Sequence, residues 1–199
     1  MVVRSIKTVN QDPAIIEVEF EPIDQTIIDY VYSPKNFDQL EFENLVVNKG
    51  RLKVNNQLKE FEILRDHFKP AYKQITKVLA NLDKIRYPIF RDFDKWWDSN
   101  NLDDKYVFLA VKDMPDFDQP YHLDFRFSMW AGIINLQDND TGTIFTTDHK
   151  NYTDLTHYYQ ASGKKFTGTF WLNTENNWHS VPKITKERKV IVCNQTLVY

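Results

Sequence analysis

Three side chains in the second half of this chain have the types and spacing to hold a metal ion. His122 and Asp124 form a His-x-Asp pair, and a second histidine follows at His179. On an extended segment, residues two apart point to one face, so His122 and Asp124 can converge. A histidine from a neighbouring strand would complete two imidazoles and one carboxylate. That ligand set leaves coordination positions open and suits Fe(II). Arg188, nine residues beyond His179, adds a planar cation able to bind a carboxylate through two hydrogen bonds.

The pair alone is weak evidence, because five histidines in 199 residues make one His-x-Asp a common coincidence. The conjunction is what carries the reading. His122 and Asp124 precede one β-type segment, His179 precedes another, and Arg188 opens the last. The remaining histidines compete poorly. His149 and His157 fall in a polar stretch, and His67 lies in a helical segment, where a surface or satisfied core role is the default.

The elements that must position these residues follow from patterning. Ile16, Val18 and Phe20 alternate with Glu17 and Glu19, a half-buried strand. Asn48-Lys49-Gly50 is a turn signal between two apolar runs, giving a hairpin within 40–54. Leu58, Phe61, Leu64, Phe68, Tyr72, Ile75, Leu79 and Leu82 recur at helical steps, and Pro70 predicts a kink or a division into two helices. A short helix is expected over 91–98. After Asn100 the pattern becomes β-type: 106–111, 125–136, 143–147, 166–172 and 189–197. Turn-rich pieces at 138–142 and 173–177 separate some of these. Short strands between regular turns indicate a sandwich or barrel. The expected organisation is one domain over 1–199. Residues 1–100 form a helical and β support region, and 101–199 form the β catalytic core.

Composition narrows the classes. The chain is 42% hydrophobic, 15% aromatic and 27% charged, with a net charge of −3. That balance gives no global electrostatic case for nucleic acid. No apolar run approaches the roughly 20 residues of a membrane helix. A lone Cys193 excludes an internal disulfide framework and a thiolate zinc site, which points to a reducing, cytoplasmic setting. The Asn-, Lys- and Ile-rich, Gly-poor composition matches proteins from AT-rich microbial or phage genomes, so a phage-encoded protein inside a bacterial host fits.

At these residues the chain resembles the Fe(II)/2-oxoglutarate-dependent dioxygenases, nearest their prolyl-hydroxylase-like branch. The resemblance runs from about Tyr106 to Leu197. It rests on His122-Leu123-Asp124, the strand Met129 to Leu136, Thr141-Gly142-Thr143-Ile144-Phe145, the segment from Phe166 to His179, and Arg188. It implies an α+β fold built on a double-stranded β-helix, a jelly-roll-like barrel, with supporting N-terminal helices. It also implies Fe(II) held by His122, Asp124 and His179, with 2-oxoglutarate and O2 as co-substrates. Arg188 would hold the distal carboxylate of 2-oxoglutarate, while Lys189 would face the other side of its strand. Asn135 stands where relatives often place a tyrosine that contacts the co-substrate. Val190 replaces a polar residue found in several relatives two positions after the arginine. The resemblance leaves residues 1–100 without a family motif.

The implied reaction is hydroxylation of a C–H bond in a protein side chain, an amino acid or another small substrate, with release of succinate and CO2. Asp124 supports hydroxylation over halogenation, since halogenating relatives carry a small residue there. Trp130 and Trp178 are expected to line the substrate pocket. The stretch 148–165 is either a substrate lid or a variable surface loop. Arg126 and Lys164-Lys165 are candidates to meet an anionic substrate. Two other classes share this architecture: a non-catalytic jelly-roll binding or structural module, and a cupin-like metal enzyme that does not use 2-oxoglutarate.

Overall fold

The computed structural model describes residues 1–37, 50–55, 59–82, 92–99, 102, 106–124, 128–146 and 157–196. Strands β1 (Val3–Gln11) and β2 (Ala14–Phe20) form a hairpin whose turn carries a cis Asp12–Pro13 bond. Helix α1 (Gln25–Val31) follows, its first turn capped by Asp24, which accepts from the Thr26 N–H at 2.9 Å. Then come β3 (Arg51–Lys53), α2 (Lys59–Leu82) and α3 (Phe93–Ser99). The second half contributes β4 (Tyr106–Asp113), β5 (Gln119–His122), β6 (Ser128–Asn135), β7 (Ile144–Thr146), β8 (His157–Gln160), β9 (Thr167–Leu172), β10 (Trp178–Val181) and β11 (Arg188–Thr196).

These strands make two antiparallel sheets. The larger runs β1-β2-β9-β6-β11-β4-β3 and the smaller β5-β10-β7-β8. Their inner faces enclose the double-stranded β-helix expected from the sequence. Helix α2 covers the outer face of the large sheet. Phe61, Leu64, Phe68, Tyr72, Ile75 and Leu79 are buried, and rings from helix and sheet meet there, with Phe68 stacked on Phe170 at 6.3 Å. Burying each such side chain is worth roughly 1.5–3 kcal/mol. A second, smaller core of Ile15, Ala131, Phe145, Ala161 and Trp171 lies between the sheets.

Helix α2 is one 24-residue helix with Pro70 inside it, so of the two expected outcomes the division into two helices does not occur. Pro70 lies on the exposed face of the helix, where its ring meets solvent rather than the core. In the N-terminal half, α1, α2 and α3 accompany β1, β2 and β3, which are strands of the large sheet itself. Of the expected hairpin at 40–54, Gly50 takes a left-handed φ of 99° and leads into β3, which pairs with β4; the preceding arm lies outside the described residues. No helix among the described residues is long and apolar enough to cross a membrane.

Candidate metal centre

Antiparallel pairing brings the two histidines together. His122 ends β5, and its register partner on β10 is His179. Asp124 lies just beyond the end of β5, and one ligand atom from each of the three residues lies within 4.8 Å of the others. Asp124 Oδ2 is 3.4 Å from His179 Nε2, and its Oδ1 is 3.9 Å from His122 Nε2.

Both imidazoles are oriented the same way. His122 Nδ1 lies 2.9 Å from the Pro120 carbonyl, and His179 Nδ1 lies 3.1 Å from the Asn177 carbonyl, each two residues upstream. A carbonyl can only accept, so each Nδ1 carries the proton and each Nε2 presents a lone pair. Gln119 Nε2 sits 3.1 Å from His122 Nε2 and donates to it, in keeping with that tautomer. Three acceptors therefore converge: two imidazole nitrogens and a carboxylate. Such a cluster is repulsive without a proton or a cation, so the donor set fits a divalent metal.

The large sheet supplies the orienting partner. Trp171 on β9 donates from Nε1 to Asp124 Oδ2 at 2.9 Å, and its ring lies 4.7 Å from that of His179. Phe145 packs on both Trp171 and His179. Burial pushes the Asp124 carboxyl up, but its two histidine neighbours, His179 foremost, and the Trp171 hydrogen bond together hold it below its ordinary value. Burial, then the charge of His179, lowers the His122 imidazole, favouring the neutral form that binds metal. The cleft holding the triad encloses about 420 Å³ including its mouth, with Arg51, Gln119, Ile133, Val181 and Asn194 among its lining residues.

Arg188 lines an adjoining narrow crevice with Asn135, Thr143, Ser162 and Thr169, and Ile133 borders both spaces. Arg188 is 1% exposed. Its Nε donates to Asp113 Oδ2 at 2.6 Å, while its Nη2 is buried with no hydrogen-bond partner. A buried, unpartnered guanidinium nitrogen fits a missing anionic acceptor, as a dicarboxylate would supply. Burial works against the Arg188 charge and Asp113 works for it, with a net lowering that leaves an arginine protonated. Asn135 borders the same crevice, but its amide is committed to the Ser162 carbonyl at 3.0 Å and to Asn139 at 2.7 Å.

Two expected pocket residues are placed elsewhere. Trp130 is fully buried on the helix side of β6, donating to Thr76 Oγ1 at 3.0 Å and packing on Tyr72 and Phe170. Trp178 adjoins His179 in β10, so it points to the opposite face, and its Nε1 donates to the Glu175 carbonyl at 3.1 Å. Neither lines the cleft. The aromatic residues that do stand at the triad, Trp171 and Phe145, were missed, as were Asp113 and Arg51. Strand parity was the available signal for Trp171, since it alternates with Phe170 and Leu172, which face the helix. His67 is on the solvent face of α2. Arg126, His149 and residues 147–156 of the polar stretch lie outside the described residues.

The fold is one that solved prolyl hydroxylases share. A Pseudomonas putida prolyl-4-hydroxylase superposes with a TM-score of 0.57 at 12% identity, over 98% of this chain and 92% of that one. A prolyl hydroxylase from Trichoplax adhaerens, solved with a hypoxia inducible factor oxygen degradation domain peptide fragment, superposes with a TM-score of 0.50 at 12% identity, over 86% of this chain and 75% of that one. No protein-family model matches the sequence, and no curated protein matches it significantly.

Proposed function

We propose that this protein is an Fe(II)- and 2-oxoglutarate-dependent oxygenase that hydroxylates a C–H bond of a protein side chain, an amino acid or another small substrate. The observation that carries the reading is the pairing of two incomplete sites. Three acceptors converge at His122, Asp124 and His179, and a buried donor, Arg188 Nη2, stands unpartnered in the neighbouring crevice. Iron with 2-oxoglutarate and O2, when bound, supplies the oxidising power, with succinate and CO2 as products.

The residues have distinct tasks. His122 and His179 bind through Nε2, with their rings fixed by the Pro120 and Asn177 carbonyls. Asp124 supplies the negative charge, and Trp171 fixes its carboxylate. Arg188 receives the distal carboxylate of the diacid and so sets its register. Phe145, Ala131, Ile133 and Trp171 wall the interior and exclude water. The fold shared with prolyl hydroxylases supports a peptide or amino-acid substrate.

The test is anaerobic addition of Fe(II) and 2-oxoglutarate. A weak visible charge-transfer band should appear in the wild type and be lost in Asp124→Ala and His179→Ala. A metal-binding protein that does not respond to 2-oxoglutarate would be a cupin-like enzyme. One that binds neither would be a jelly-roll binding module, and the oxygenase reading would fall.

A further inference from the structure

Arg188 does not stand alone. Residues Arg51, Asp113 and Arg188 occupy one row across β3, β4 and β11, since Asp113 is the register partner of both arginines. Arg51 grips the carboxylate with two bonds, Nε to Oδ1 at 2.6 Å and Nη2 to Oδ2 at 3.1 Å. Arg188 Nε takes Oδ2 at 2.6 Å. Asp113 has no exposed surface and Arg51 retains only 12% of its side-chain exposure. Phe117 lies beneath both guanidinium groups, 4.6 Å from Arg51 Cζ and 5.9 Å from Arg188 Cζ.

The charges give the row its meaning. Asp113 alone would cancel Arg188, and a neutral pair has little attraction for an incoming carboxylate. Arg51 removes that cancellation, since two guanidinium groups on one carboxylate leave a single net positive charge. The same grip holds Asp113 against Arg188 Nε, so that Nη2 is left over for a ligand.

The geometry points to Arg51 as a positioning residue of the diacid site: it holds Asp113 so that Arg188 keeps one free donor and one uncancelled charge for the distal carboxylate of 2-oxoglutarate. This rests on the oxygenase reading above. It also gives the N-terminal region, which carries no motif, a part in co-substrate binding through β3.

The experiment measures binding to the full-length protein loaded with Mn(II), by calorimetric titration with 2-oxoglutarate in the absence of Fe(II). Arg51→Gln should raise the 2-oxoglutarate Kd about tenfold or more without weakening Mn(II) binding, since it removes a cation from the lining of the metal cleft. Arg51→Lys should recover part of the loss. The double variant Arg51→Gln/Asp113→Asn should recover most of it, because Arg188 then regains its uncancelled charge; a residue that served only the fold would not be rescued by a second substitution. Unaltered 2-oxoglutarate binding in Arg51→Gln, or weakened binding that the double variant does not restore, would overturn the inference. If Arg51→Gln does not fold, the double variant carries the test alone: it buries no surplus carboxylate and should bind within about threefold of wild type, and a larger loss would overturn the inference. Arg188→Gln is measured in parallel. If it loses binding while Arg51→Gln does not, the positioning role alone fails. If neither weakens binding, the assignment of the diacid site itself fails.

Discussion

His122 and His179 face each other as register partners on β5 and β10, with ring centroids 4.3 Å apart and their Nδ1 protons held by carbonyls two residues upstream. The pairing places both Nε2 lone pairs toward Asp124, whose carboxylate is fixed from the other sheet by Trp171.

Trp171→Phe therefore separates orientation from packing. The phenyl ring keeps most of the contact with Phe145 and His179, while the bond to Asp124 Oδ2 is lost. Metal affinity should fall about tenfold with the fold retained, because outer partners of a ligand typically govern affinity on that scale. Calorimetric titration with Mn(II) beside near-ultraviolet circular dichroism checks both halves of the expectation.

Trp130→Phe should do the converse. It removes the bond to Thr76 Oγ1 and some buried ring volume far from the triad. Stability should drop by about 1–2 kcal/mol in urea denaturation, and Mn(II) affinity should stay at the wild-type value. A loss of metal binding would place Trp130 functionally at the site despite its position under the helix.

Gly132→Ala addresses the wall between the two cores. A Cβ there would lie 2.2 Å from Phe170 Cδ1 and 2.7 Å from Cε1. Phe170 is fully buried against Phe20, Phe68 and Trp130 and has little room to yield. Overpacking should cost about 1–3 kcal/mol, read as a lowered midpoint in thermal or urea unfolding.

Stability of the metal-free protein should rise with pH across the range just below neutrality. Burial sets the folded His122 imidazole below its ordinary 6.5, so between that lowered value and 6.5 the unfolded chain binds more protons. The folded protein is thus favoured above 6.5 and loses this advantage as pH falls through the lowered value. Asp124, also lowered, adds a loss of the same sign, beginning only as pH falls below its ordinary 3.8. Thermal midpoints of the metal-free wild type measured from about pH 5 to 7.5 should show the slope, and His122→Asn should flatten it.

The triad and Arg188 were legible because strand spacing and residue type define them: a pair two apart, a distant histidine, and an arginine opening the last strand. The partners that tune them were not. Trp171, Asp113 and Arg51 act across strands, and pairing register is not written in any local window. Trp130 was misplaced because Met129 to Ile134 is apolar on both faces, so alternation could not say which face turns inward. Trp178 is different, since adjacency to His179 in a strand already places it on the other side. The strands β1 and β2 join the large sheet beside β9, a neighbour more than 140 residues away in sequence, and only the Ile16, Val18, Phe20 alternation hinted at one of them.

The row Arg51–Asp113–Arg188 and the bridge from Trp171 to Asp124 tie together segments spread from residue 51 to residue 188. A proteolytic or truncated fragment that omits either end of that interval keeps the ligand motif yet loses a member of the row. If the proposed diacid site is right, co-substrate binding would be a readout of whole-chain integrity, and the metal ligands by themselves would not.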